Sequence, residues 1–268
     1  MNKKIGFIGC GKMASAIIKG IKTSCCKEKV ELKGSEVNCE IAELAQSRLG
    51  IEVLTDNRLL TMDSDVVFIA TKPNYVAQVL EEIKDEITPE KLIVSIAAGV
   101  NTTKIQNIIG TKRVVRIMPN TPALVQEGMF GICKGEYATE ADVQYVMNLL
   151  NGIGKVVEVE EHQMDIVTAI SGSGPAFFYQ VIEDMARAGE KLGLDYEKSL
   201  LLATQTALGS AKMVFERGEL SVQTLIDNVA TKGGCTFVGI QTMKEENSEK
   251  LFYDVIDKTA EKSSQLGK

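Results

Sequence analysis

Apolar positions in the first 160 residues follow two rhythms. One is the short run that is apolar on consecutive positions: "IGFIG" (5–9), Val30–Lys33, "VVFIAT" (66–71), "LIVSIA" (92–97) and "VVRIM" (114–118). The other recurs every three or four residues, as in Met13, Ala14, Ile17, Ile18 and Ile21, and again in 74–86 and 102–109. Runs apolar on both faces and separated by helices predict a parallel sheet covered on both sides. Two further β-like runs, at 131–133 and 155–159, enclose a helix that opens at Thr139 with acidic residues in its first turn.

From residue 162 no segment has the pattern of a strand. Pro175 stands at a helix start, where its missing N–H does no harm. Asp195 has the chemistry of the next N-cap, and the helix that follows runs over 196–217 to a stop at Gly218. Leu200, Leu201, Leu202, Ala203, Leu208, Ala211, Met213, Val214 and Phe215 surround that helix on nearly every side. So little polar face demands burial, and about 100 residues give limited cover, so a partner subunit is expected. The boundary falls between residues 161 and 162, with no linker.

Composition narrows the functions. Aromatic residues are 5% of the chain, Trp is absent and the formal net charge is −6. Such a chain lacks both the basic footprint and the stacking surface of a nucleic-acid binder. The six cysteines (Cys10, Cys25, Cys26, Cys39, Cys133, Cys235) show no CxxC spacing, and two are adjacent. A reduced, cytoplasmic protein with no membrane segment and no metal site is the expectation. One histidine, His162, rules out a multi-histidine metal site.

"GFIGCGKMA" (6–14) holds Gly9-x-Gly11-x-x-Ala14 directly after a strand and at the start of a helix. Glycines there permit a tight turn and let a pyrophosphate approach the backbone, and the helix N-terminus supplies N–H groups. Residues 1–161 therefore read as a Rossmann-type dinucleotide-binding domain with a mostly parallel sheet. An all-α domain over 162–268 follows and is expected to serve dimerisation. At the end of the second strand, Glu36 has the spacing of the acid that takes the ribose 2′-OH of NAD, while Ser35 and Lys33 are equally placed for a 2′-phosphate. NAD(H) and NADP(H) both stay open. "ATKPN" (70–74), with Ala70, Thr71, Lys72 and Pro73, and "SIAAGV" (95–100), with Ile96, Ala97 and Ala98, end the next strands with small residues that leave room for a dinucleotide.

"RIMPNTPALVQEGM" (116–129) and "MDIVTAISGSGPAFF" (164–178) are far more specific. With the opening fingerprint and "VATKGGCTF" (229–237), they make the chain resemble the pyrroline-5-carboxylate reductase family along essentially its whole length. The resemblance implies a Rossmann domain and a helical domain interlocked with its twofold mate. It implies hydride transfer from NAD(P)H to the C=N carbon of a cyclic imino acid. It also implies that Ile8, Gly9, Cys10, Gly11, Lys12 and Met13 form the pyrophosphate loop and that Ser35 and Asn57 contact the adenosine side. Met118, Asn120 and the 171–175 loop, with Ser173, would floor the nicotinamide site.

The family's substrate loop, Ser/Thr-Pro-Gly-Gly-x-Thr, reads here Thr231-Lys232-Gly233-Gly234-Cys235-Thr236. Gly233 and Gly234 would bring bare N–H groups onto the substrate carboxylate, and Thr231 would add a hydroxyl. Thr236 would hydrogen-bond the ring nitrogen, and Glu219 takes the place of the family's acidic group near that nitrogen. Cys235 reads as a small space-filling residue of this loop. Lys232 replaces a proline, and "GELSVQTL" (218–225) lacks the family's His-Pro. These departures keep two alternatives in view: a reductase of another cyclic imino acid or of a β-hydroxy acid, and a non-catalytic NAD(P)H-binding paralogue.

Overall fold

A computed structural model describes residues 3–23 and 30–266; Cys25 and Cys26 lie outside them. The chain begins β1 (Lys3–Ile8), α1 (Lys12–Thr23), β2 (Val30–Ser35), α2 (Cys39–Leu49), β3 (Glu52–Leu54), α3 (Asn57–Met62), β4 (Val66–Ile69), α4 (Pro73–Ile83), β5 (Leu92–Ser95), α5 (Thr102–Ile109) and β6 (Arg113–Met118). Then follow β7 (Gly128–Lys134), α6 (Glu140–Leu150), β8 (Gly154–Glu158) and the short α7 (Met164–Val167), which runs into a π-helical turn over Thr168–Gly172.

The eight strands form one sheet in the order β3-β2-β1-β4-β5-β6-β7-β8. Every neighbouring pair is parallel except β6 with β7. Two apolar cores cover its two faces, as expected of strands apolar on consecutive positions. One gathers Phe7, Phe68 and Ile117 with Ile17 of α1, Ala45 of α2 and Val146 of α6. The other gathers Ile8, Ile69 and Ile93 with Leu60, Leu80 and Ile105 of α3, α4 and α5. Phe7 and Phe68 stack across adjacent strands at 4.5 Å between ring centroids.

The expected strands are β1, β2, β4, β5 and β6, and the two later runs are β7 and β8. Thr139 caps α6 in a reciprocal capping box with Asp142. Residues 39–62, unassigned by pattern, hold α2, the three-residue β3 and α3. Their boundaries are set by Asn38 and Asp56, whose side chains cap α2 and α3.

The chain divides into two compact units, Met1–Ser173 with Asp257–Lys268, and Gly174–Ile256. In the first, the end of the last helix, α12 (Ser248–Leu266), is tied down where Ser263 Oγ donates to Asp165 at 2.6 Å. The second is entirely helical: α8 (Gly174–Lys191), α9 (Tyr196–Phe215), α10 (Val222–Val229), α11 (Cys235–Glu245) and the start of α12. α8 and α9 pack at Gly189, where any Cβ would come within 2.4 Å of Ser199 Oγ. Asp195 caps α9, and Tyr196 donates to Glu183 at 2.6 Å while lying under the Arg187 guanidinium. Only Ser199 and Ala203 of α9 are buried, and no residue of α10 or α11 is.

Candidate active site

The chain reverses its direction across the sheet at β1, which has β2 on one side and β4 on the other. A crevice therefore opens beyond the carboxyl ends of these strands, the place where doubly wound sheets hold ligands. Gly9 turns the chain there at φ 89°, a conformation that L side chains rarely adopt, and its Cβ would lie 3.0 Å from the Ala70 carbonyl. Its N–H donates to the Ser35 carbonyl and the Ala70 N–H to that of Ile8, both at 2.9 Å, joining the three strand ends. Gly11, at the start of α1, faces open space, so a Cβ there would intrude only on a ligand.

A cleft of about 290 Å³ lies at this point and is lined by Ile8, Gly9, Ser35, Glu36, Asn57 and Thr71. The Thr71 hydroxyl is buried without a hydrogen-bond partner, as expected of a group shaped for a ligand. Ser35 is wholly buried and donates to Asn57 Oδ1 at 2.7 Å; the Asn57 amide donates to Glu82 at 2.9 Å. Glu36 accepts the Cys10 N–H at 2.6 Å. That engages one amide of the predicted pyrophosphate loop and leaves those of Gly11, Lys12 and Met13 at the α1 N-terminus. The Cys10 thiol itself points into the core. Burial pushes it up to about 12, with the Glu36 charge adding, so it is no nucleophile.

Pattern reasoning missed the far wall, Tyr75, Gln78 and Glu82 of α4. The signal was available: three polar-tipped residues at i, i+3 and i+7 mark one helix face. Lys72 is the N-cap position of α4 and Pro73 its first residue. Ile96 and Ala98 are half-buried beyond β5, whereas the Ala97 side chain belongs to the core and offers only backbone.

At the end of β6, Met118 reaches Gly172, where a Cβ would come within 2.4 Å of its methyl group. Asn120 Oδ1 accepts the Met129 N–H at 2.9 Å, so this side chain braces the turn into β7. The "SGSG" stretch begins in the π-helical turn, a distortion common at functional sites. Its Ser171 hydroxyl is buried without a partner, and the Ser173 N–H donates to Thr168 O.

In the helical unit, residues 231–236 form a turn that opens α11. Gly233 has φ 83°. The Gly234 N–H closes the turn onto Thr231 O at 2.9 Å, so it is not one of the bare donors expected of the glycine pair. Gly234 is the N-cap, and no side chain caps the helix. The free N–H groups are thus that of Gly233, as expected, and those that follow the cap, at Cys235 and Thr236, with the positive end of α11 behind them. Cys235, Thr231 and Lys232 are exposed, Thr236 is half-buried, and Glu219 is exposed between α9 and α10.

A glycine turn between the central strands, a ligand-shaped cleft beside it and a helical second unit define the class: a Rossmann-type dinucleotide-binding protein. Residues 4–99 match the family described as NADP oxidoreductase, coenzyme F420-dependent, and residues 161–266 match pyrroline-5-carboxylate reductase dimerisation. The pyrroline-5-carboxylate reductase of Methanosarcina acetivorans is 40% identical over 100% of this chain and 99% of its own length. Among solved structures, Plasmodium falciparum pyrroline carboxylate reductase with NADP bound shares 34% identity at a TM-score of 0.87, covering 100% of this chain and 99% of its own. The Coxiella burnetii pyrroline-5-carboxylate reductase shares 32% identity at 0.91, with 100% of both chains covered. The chain belongs to the pyrroline-5-carboxylate reductase family, as "MPNTP" and "SGSGPA" imply.

Proposed function

We propose that this protein is an NAD(P)H-dependent reductase that converts L-1-pyrroline-5-carboxylate to L-proline, the last step of proline synthesis. The observation that carries the reading is the uncapped, glycine-opened N-terminus of α11, in a chain of this family along its whole length. A small carboxylate suits those unpaired N–H groups, and Thr231 adds a hydroxyl. Residues 1–161 act as the cofactor domain and 162–268 as the dimerisation and substrate domain.

When bound, NAD(P)H supplies the hydride that adds to the C=N carbon. The chain's own residues fix the carboxylate, and that positioning orients the ring and accounts for most of the rate gain. The Thr236 hydroxyl hydrogen-bonds the ring nitrogen, and Glu219 favours its protonated form. The protein works as a homodimer at least, and in the cytoplasm. None of the described helices is long and apolar enough to cross a membrane.

The test is oxidation of NADH and NADPH with L-1-pyrroline-5-carboxylate by the wild type, Thr236→Ala and Glu219→Ala. The expected outcome is wild-type turnover, with kcat reduced about 100-fold in Thr236→Ala and about tenfold in Glu219→Ala. Nucleotide binding without turnover by the wild type would overturn the reading in favour of a non-catalytic paralogue.

A further inference from the structure

The cleft beyond β2 holds the acid Glu36 and one of its two phosphate-binding competitors, Ser35, whereas the other, Lys33, does not line it. The structure separates them. Glu36 is held at the rim by the Cys10 N–H on one carboxylate oxygen, and the other oxygen has no partner among the described residues. A ribose 2′-OH can donate to that free oxygen. A 2′-phosphate, an acceptor carrying up to two negative charges, cannot.

The opposite wall has the same polarity. Ser35 donates its hydrogen to Asn57, and Asn57 donates in turn to Glu82, so the chain of hydrogen bonds ends on a second carboxylate in the same cleft. Ser35 is fully buried and its hydrogen is already engaged, so it cannot serve a phosphate oxygen.

Cations are held elsewhere. Among the described residues, no Lys or Arg lines the cleft. Lys33 Nζ sits among Glu31, Glu52 and Asp63 at 3.5, 3.0 and 2.9 Å. Arg58, next to Asn57, is paired with Glu86 at 2.5 Å, and Arg48 donates to the Cys10 carbonyl. A 2′-phosphate placed here would meet two carboxylates and, among the described lining residues, no Lys or Arg, a juxtaposition that disfavours binding strongly in a partly enclosed site.

We infer that this chain selects NADH over NADPH, with Glu36 as the residue that reads the ribose 2′-position and Glu82 as a second carboxylate repelling a 2′-phosphate. The inference rests on the reductase reading for the site's purpose, but its geometry belongs to the nucleotide half alone. The relative with NADP bound shows that the family scaffold admits the phosphate. The exclusion is therefore assigned to these side chains and not to the fold.

The test is fluorescence titration with NADH and with NADPH, without imine substrate, on the wild type, Glu36→Gln, Glu36→Ser and Glu82→Gln. The wild type should bind NADH about tenfold or more tightly than NADPH. Glu36→Gln keeps an acceptor for the Cys10 N–H and removes only the charge, so it should bring the two dissociation constants to within about threefold by tightening NADPH. Glu36→Ser should favour NADPH, and Glu82→Gln should narrow the ratio by a smaller factor. Wild-type binding of NADPH as tight as NADH, or a ratio unmoved by Glu36→Gln, overturns the inference while leaving the reductase reading intact. NADH-selective binding without turnover of the imine sinks the reductase reading and supports this one. Failure to bind either nucleotide rejects both.

Discussion

Gly9 and Gly11 belong to one fingerprint but do different physical work. A side chain at Gly9 would be strained at φ 89° and would press on the Ala70 carbonyl, so Gly9→Ala acts on the fold itself. We expect it to cost about 1–3 kcal/mol in urea unfolding. Gly11 has nothing within 4 Å of an added Cβ. Gly11→Ala should therefore unfold like the wild type yet bind NADH at least about tenfold more weakly, because the methyl group occupies the space a pyrophosphate needs. Equal stability losses in the two variants would refute the division. The fingerprint was legible in the sequence; which glycine serves the turn and which the ligand was not, because that depends on where β4 ends. The same limit applies at Glu36 and Lys33. Both are plain in the chain, but their partners, Cys10 on one side and Asp63 on the other, are 26 and 30 residues away in sequence and meet only across the sheet.

At the scale of elements, periodicity located most strands and helices, since burial on one or two faces writes itself into apolar spacing. It passed over β3, whose three residues are too few for a period, and the helices on either side of it. It also gave no account of Arg116 inside the apolar run "VVRIM". Arg116 is 3% exposed and pairs with Glu161, which also accepts from the Thr102 N–H at 3.0 Å and its hydroxyl at 2.6 Å. One carboxylate thus ties β6, the start of α5 and the segment leading into α7. Burial alone would raise its pKa, but the Thr102 hydrogen bonds and the Arg116 charge outweigh that and hold it below the usual carboxylate range. A carboxyl group with a depressed folded pKa stabilises the fold above its unfolded pKa, and that contribution is lost as pH falls through the folded value. Glu161→Ala should cost about 3–5 kcal/mol at pH 7, because it strands a buried guanidinium. The gap from the wild type should narrow as the pH is lowered below the ordinary carboxylate range. Urea unfolding of both proteins across that interval checks it; a pH-independent gap would mean that packing, and not charge, carries the effect.

For the whole molecule, the helical unit poses a problem that one chain does not solve. Leu201, Leu208 and Phe215 recur at seven-residue intervals on α9 and are 69%, 53% and 74% exposed. Residues at that spacing lie nearly above one another on a helix, so they form a continuous apolar stripe. Phe178 and Tyr179 of α8 are also more than half exposed. Leaving such side chains in water forfeits about 1.5–3 kcal/mol for each that burial would recover. This part of the chain matches a dimerisation family, and a twofold partner presenting the same surface is the simplest cover. The need for a partner was legible from the circumference of α9; which face it would cover was not, since the helix is apolar nearly all round. If the stripe is the seam, Leu201→Asp with Leu208→Asp should give monomers by sedimentation velocity at micromolar concentration. Its Tm should fall and become independent of protein concentration, whereas the wild-type Tm rises with concentration. The nucleotide unit does not share this surface, so the double variant should still titrate with NADH. A variant that remains dimeric would move the seam to another face of the helical unit, and one that loses NADH binding as well would show that the Rossmann unit needs the dimer to hold its shape.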